Sequence, residues 1–442
     1  TALLSFLAFA SFKEALSYGL KEFAIGLLVL ETTIIGAFLS AQNIVQFLFF
    51  FEAMIMPAAI LIALHGGLKR RRAVITFSIY TMAGSIPLLF GAWYLMAKAG
   101  SDNIFVLMET LKTLPTATQT CLLAAFSIAF IVKTPLFPLH SWQGISYSEA
   151  PYPLTAILSG AMAKVGVFGF AAWVIPIFYE PLRFADYSFV FISLALFSML
   201  YAALLALRQN NIKKLLAFSS MSHLSLAVAG LFCMSDVVNA GVAVMLVGHG
   251  LTAVGLFIGG GIAQKWTGST NIKSHGAFAS TNPVYASIFG FIAIAAIAVP
   301  GTVGFVGEFL ILQGLFNSGF AFFALVGGVG IILSAAYMLR LIKNVLFGPV
   351  PENSRRTGIS LSHFEGATAV PVITLILFFG LYPAPILNSF ERQGEPELGL
   401  TEQEMKELEE YLESLQFELN SITENSDVLE NTIDDSTEDD DE

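Results

Sequence analysis

The chain has 442 residues, 55% of them hydrophobic and only 12% charged, about half the charged share of a water-soluble domain, which excludes a soluble globule and predicts a polytopic membrane protein. Its net charge of −11 is concentrated at one end: residues 391–442 hold 20 acidic and 2 basic side chains, leaving 20 basic and 13 acidic in the first 390. The only two cysteines, Cys121 and Cys233, lie in apolar runs, so neither a disulfide framework nor a cysteine metal site is expected.

No short cationic leader with a cleavage site opens the sequence, and insertion is expected to be driven by the apolar segments themselves. Residues 1–22 read as an N-terminal remnant or interfacial segment. Stretches of about 20 apolar residues, the length that crosses a ~30 Å hydrocarbon core, then fall near 23–41, 44–65, 73–97, 119–139, 151–178, 185–207, 213–234, 236–262, 283–317, 320–346 and 366–388. The fold class is therefore all-α, with about eleven transmembrane helices. The fourth span carries "KTPLFPLH" (133–140) and the ninth "VPGTVGF" (299–305); each is expected to break its helix at proline.

Charge parity fixes the ninth span as one broken helix. On that count the basic loops 68–72, 208–214, 264–273 and 340–356 share one side, as the positive-inside rule requires. The two breaks stand five spans apart, so 23–178 and 179–346 are expected to be inverted five-helix repeats, with 366–388 a final helix. Discontinuous helices at matching positions of inverted repeats point to an ion site near the midplane. Beyond them, 391–442 is an acidic tail in which "TEQEMKELEEYLESLQFELN" (401–420) reads as an amphipathic helix opened by a capping box, and the remainder as disordered.

Within the predicted spans stand Glu31, Glu52, Lys133, Lys164, His223, His249 and Glu308. A lysine or carboxylate at the centre of a membrane helix costs about 2.5–3.5 kcal/mol, so several of them need partners or a function. Static ion pairs between helices are one reading. The other is a proton relay, in which Glu52, if it pairs with Lys133, controls the charge of the lysine while the prolines free carbonyls that bind water beside it. His140 and His249 are candidate bridges in such a chain, and His223 a further one; His65, His275 and His363 are expected to be exposed. There is no Gly-rich phosphate loop, metal-ligand cluster or CxxC motif, so any redox chemistry is expected in a partner.

The segments "FFFEAMIMP" (49–57), "VKTPLFPLHSW" (132–142) with "SEAP" (148–151), "AKVGVFG" (163–169), "KKLLAFSSMSH" (213–223), "GHGL" (248–251) and "PGTVGFVGEFLIL" (300–312) together resemble the antiporter-like membrane subunits of respiratory complex I, the proton-pumping NADH:ubiquinone oxidoreductase. The resemblance covers roughly residues 20–388. The glutamate of "GEF", Glu308, points within that family to the subunit 4 branch, because its paralogues and the related multi-subunit sodium/proton antiporters usually carry lysine there.

The resemblance implies a catalytic relay of Glu52, Lys133, Lys164 and Glu308, with His249 intervening; His140 and His223 stay candidates from their own chemistry. It implies no cofactor in this chain, with NADH, FMN, iron–sulfur clusters and ubiquinone in partner subunits. The implied partners are other membrane-arm subunits, including paralogous antiporter-like ones, and membrane lipids, with no nucleic acid. The implied location is the mitochondrial inner membrane, a bacterial plasma membrane being the alternative. Two departures stand out. Family members usually have fourteen helices, so the first three are expected to be missing here, and Tyr147 stands near the place of a second loop histidine. A subunit of a multi-component cation/proton antiporter is the alternative function.

Overall fold

A backbone inside hydrocarbon must satisfy its own hydrogen bonds, which leaves helices as the open-ended solution. The computed structural model describes residues 19–184, 187–350 and 361–394, with residues 3, 6, 7 and 10 before them. Three long helices, α1 (Leu20–Leu39), α2 (Ile44–His65) and α3 (Arg70–Ala99), lead to the short α4 (Ile104–Lys112), then α5 (Thr116–Lys133), the short α6 (Ser141–Glu149) and α7 (Tyr152–Ile177). Next come α8 (Tyr187–Arg208), α9 (Ile212–Leu231) and α10 (Asp236–Thr267). They are followed by α11 (Pro283–Ala295), α12 (Val303–Asn317), α13 (Ala321–Leu346), α14 (His363–Leu381) and α15 (Ala384–Gly394).

Nine of these, from α1 to α13, are each long and apolar enough to cross a membrane. Of the rest, α12 and residues Glu365–Leu381 of α14 are shorter apolar helices, and α11 reaches membrane-spanning length only together with Ile272–Thr281 before it, against which it bends by 119°. The expected helix at 401–420 and the acidic tail from residue 395 onward lie outside the described residues.

Both predicted breaks occur. The first separates α5 from α6, where two of the carbonyls at the break find donors in the protein. Ile131 O accepts the Leu136 amide at 2.9 Å and Val132 O accepts the Trp142 indole N–H at 2.9 Å, so both carbonyls bond within the protein. The second break separates α11 from α12, where Gly301 takes φ 91° and the Thr302 hydroxyl and amide both turn back to Val299 O.

The loops sort into two ends. Arg340, near the end of α13, donates to Leu207 O and Gln209 O at 2.6 and 2.9 Å; Lys213 donates to Ala150 O at 2.6 Å; Gly67 N–H donates to Glu149 O at 2.9 Å. The basic loops around 68–72, 208–214 and 264–273 and the α13 terminus therefore meet at one end, as charge parity predicts. At the acidic end, Asn43 caps α2 and its amide donates to Asp102 at 2.7 Å.

Two isolated antiparallel bridges mark these ends, Asn43 with Asn103 and Asn211 with Asn271. They match in detail. In each, the first asparagine caps a long helix, its side-chain amide donates to residue 102 or 270 at 2.7 Å, and the chain exchanges two backbone bonds across the turn. One bridge sits at the acidic end and its counterpart at the basic end, the relation expected of inverted repeats.

Candidate functional site

The three most enclosed membrane spans are α7, α9 and α10, and these carry Lys164, His223 and His249. Lys164 lies between two π-helical stretches of α7, Leu158–Met162 and Phe170–Val174. Such widened turns displace hydrogen bonds and recur at functional sites. Here Ala163 N–H bonds Leu158 O at 3.0 Å instead of Ser159 O, its α-helical partner, and Ser159 O accepts the Lys164 ammonium at 2.7 Å. The other contact of Lys164 Nζ is His249 Nδ1, also at 2.7 Å.

A second pair lies beside the first. His223 Nδ1 stands 2.9 Å from Glu308 Oε1, and both side chains are at least nine-tenths buried. Glu308 occupies the second turn of α12, and Gly307 next to it lets α12 touch α10: a Cβ at Gly307 would lie 2.5 Å from Met245 N and 2.6 Å from its Cα. The Tyr337 hydroxyl, from α13, lies 3.5 Å from His223 Nε2 and 2.9 Å from Ser219 Oγ.

The rings of His223 and His249 have centroids 5.6 Å apart. Both line a cavity of about 20 Å³ together with Ser219, Ser220, Thr252 and Glu308. That is room for one water with several polar partners. The sequence Lys164, His249, cavity, His223, Glu308 is therefore an end-to-end line of groups, each able to give or take a proton.

Glu52 and Lys133 form a separate site. Lys133 is buried, its Nζ has no hydrogen-bond partner, and it lies 4.8 Å from the centroid of the Phe51 ring. Glu52 acts on it electrostatically, but the two do not close into the ion pair expected from sequence, and Glu52 Oε1 is buried without a partner. A desolvated cation–π contact is worth about 2 kcal/mol, less than the ~2.5–3.5 kcal/mol cost of the buried charge, so the carboxylate is needed to hold a charged Lys133. α7 links this site to the other. A Cβ at Gly166, two residues after Lys164, would collide with Thr134, so the absence of a side chain lets α7 lie against the break that follows Lys133.

His140 joins neither group: it packs against Phe137 and Tyr201, with Nδ1 buried and unpartnered. His275, expected to be exposed, is 2% exposed, because its loop folds onto the Trp266, Phe278 and Tyr285 aromatic cluster. Glu31 is buried in α1 with Oε1 unpartnered. Tyr337, Ser159 and Ser219 escape sequence reasoning, since a single hydroxyl residue in an apolar span carries no periodic signal. No group of three or more potential metal ligands occurs among the described residues.

Residues 41–334 match the family described as NADH:quinone oxidoreductase/Mrp antiporter, TM. The chain is 33% identical over 376 residues to NADH-quinone oxidoreductase subunit M of Rickettsia prowazekii, covering 85% of this chain and 76% of that protein. It is 31% identical over 370 residues to NADH-ubiquinone oxidoreductase chain 4 of Marchantia polymorpha, covering 83% and 73%. Among solved structures it resembles a chain of respiratory complex I from Thermus thermophilus, with TM-score 0.72 and 27% identity over 84% of each chain. The fold also matches the Mrp complex from Dietzia, with TM-score 0.76 and 20% identity over 88% of this chain and 80% of that one. The chain belongs to the NADH:quinone oxidoreductase/Mrp antiporter family of membrane subunits, the family to which its buried charges and broken helices pointed.

Proposed function

We propose that this chain is the subunit 4 type proton-translocating subunit in the membrane arm of an NADH:quinone oxidoreductase. Its protons pass along Glu52, Lys133, Lys164, His249, His223 and Glu308. The observation that carries this reading is the end-to-end placement of the Lys164–His249 pair and the His223–Glu308 pair, at 2.7 and 2.9 Å, across a cavity the size of a water.

The chemistry follows from the groups. A lysine ammonium hands a proton to Nδ1 of a neutral histidine, which can release another from Nε2, so one imidazole passes a proton without turning over. Across the cavity, His223 takes a proton at Nε2 and gives one to Glu308 from Nδ1. Each transfer moves one positive charge toward Glu308, and Glu52 beside Lys133 supplies the field that holds or releases the first proton.

The redox centres, with NADH, FMN, iron–sulfur clusters and ubiquinone, belong in this reading to partner subunits, and this chain holds and moves protons only. Its neighbours would be other membrane-arm subunits, including paralogous antiporter-like ones, and lipid, in the mitochondrial inner membrane or a bacterial plasma membrane. We further propose residues 23–178 and 179–346 as its two repeats, a division supported by the matching asparagine bridges.

Glu308→Gln keeps size and hydrogen bonding but cannot ionise. In sealed vesicles carrying the assembled complex, this variant is expected to lower the protons moved per NADH oxidised, while Glu308→Lys keeps part of the activity because lysine also titrates. Wild-type pumping by Glu308→Gln would falsify the relay. Sodium moved in exchange for protons without NADH would instead favour a cation/proton antiporter.

A further inference from the structure

α9 carries four buried serines around His223, and a serine inside a helix commonly returns its proton to the carbonyl four residues back. Ser225 does so, donating to Met221 O at 2.7 Å. Ser219, Ser220 and Ser222 reach other helices instead. Ser219 bonds the Tyr337 hydroxyl of α13 at 2.9 Å, Ser220 accepts from the Ser159 hydroxyl of α7 at 3.1 Å, and Ser222 donates to Met199 O of α8 at 3.1 Å. Within four residues α9 is thus bonded to three neighbouring helices.

The bond to Ser159 bears on the relay through the backbone of α7. Ser159 lies in the π-helical stretch Leu158–Met162, and its carbonyl is the one that holds the Lys164 ammonium at 2.7 Å. One residue therefore faces two ways, with its hydroxyl tied to α9 and its carbonyl to Lys164. A π-helical turn departs from the α-helical hydrogen-bond register, so a contact from outside the helix has to fix where its carbonyls point. Ser159 is 0% and Ser220 1% exposed, which keeps competing water from their bond. Ser220 also lines the cavity beside His223, His249 and Glu308. Because it accepts from Ser159, its own proton is left for another acceptor.

We propose that Ser159 and Ser220 are positioning residues of the relay. Their bond pins the π-helical turn of α7 to α9, so that Ser159 O stays on the Lys164 ammonium and Lys164 stays within reach of His249. Neither serine carries the proton. Without the Ser220 oxygen, the Ser159 hydroxyl turns to a carbonyl of its own helix, the turn loses its register against α9, and the lysine is released from its 2.7 Å contact with His249 Nδ1. Proton transfer is sensitive to such displacement, since donor and acceptor have to sit at hydrogen-bond distance. Ser219 holds Tyr337 beside His223 in the same way, so adjacent residues of α9 orient both pairs of the relay. The proposal rests on the proton-relay reading above.

Alanine keeps the small volume that lets two membrane helices approach and removes only the oxygen, so Ser159→Ala and Ser220→Ala separate positioning from packing. In sealed vesicles carrying the assembled complex, each is expected to slow proton-coupled NADH oxidation by about three- to tenfold. Each should also raise the ratio of the rate in H2O to that in D2O above the wild-type ratio and leave the yield of complex unchanged. The double variant is expected to be no slower than either single one, since each removes the same bond. Wild-type rates in both single variants overturn the proposal, as do losses that multiply in the double variant, a loss with an unchanged isotope ratio, or a failure of both variants to assemble. Glu308→Gln measured in parallel keeps the two claims apart. If it pumps normally, the relay itself falls; if it fails while both serine variants run at the wild-type rate, only the positioning role falls.

Discussion

Tyr337 shows how one hydroxyl ties two helices together, since from α13 it reaches Ser219 at 2.9 Å and His223 at 3.5 Å, both on α9. The geometry is that of a group that orients the imidazole without carrying the proton. A neutral hydrogen bond contributes on the order of 1 kcal/mol net. Tyr337→Phe is therefore expected to assemble normally and slow proton-coupled turnover by a few-fold, a smaller effect than Glu308→Gln; an effect as large as that of Glu308→Gln would make Tyr337 a carrier. Lys133 supports a sharper prediction. Removing Glu52 leaves a buried cation supported by Phe51 alone, and an uncompensated buried charge costs about 3–5 kcal/mol. Glu52→Gln is expected to reduce the yield of assembled complex, and adding Lys133→Met to restore the yield without restoring pumping. Equal yields in the single and double variants would show that the two residues do not share a charge.

At the scale of elements, contact between α10 and α12 depends on residues with no side chain. Alanine is favoured over glycine in a helix interior by about 1 kcal/mol. At Gly307, however, the added Cβ meets the Met245 backbone at 2.5–2.6 Å, which cannot rotate away, and overpacking costs about 1–3 kcal/mol. Gly307→Ala should therefore lower the thermal midpoint of the solubilised complex. Gly328→Ala, on α13 with nothing within 4 Å, should leave it unchanged or slightly raised. A midpoint unaffected by Gly307→Ala would show that the α10–α12 approach is not set by that glycine.

For the whole molecule, the separation of charge between the two ends predicts how the chain lies in the membrane. Cysteines placed at the exposed positions Arg71 and Lys273 should react from the cytoplasmic or matrix side, and one at the exposed Lys112 from the opposite side. Labelling of all three from one side would undo the count of spans between residues 71 and 273. The apolar side chains left exposed along α3, among them Ile75, Ile79, Met82, Ile86, Phe90 and Trp93, recur at three- and four-residue intervals, as a helix face turned to lipid or to a neighbouring subunit requires.

Composition and span length by themselves determined that this is a helical membrane protein, because hydrocarbon leaves the backbone almost no other choice. Proline placed the two breaks, and the cost of burying charge singled out Glu31, Glu52, Lys133, Lys164, His223, His249 and Glu308, of which Glu31 joins neither site. Which of these touch was decided only by tertiary structure, because contact between helices depends on rotation and close approach, and these are set by small residues and widened turns that carry no periodic signal. Hence Lys164 meets His249 through a π-helical stretch and His223 meets Glu308 beside Gly307, whereas Lys133 and Glu52, the pair that sequence alone favoured, stay apart.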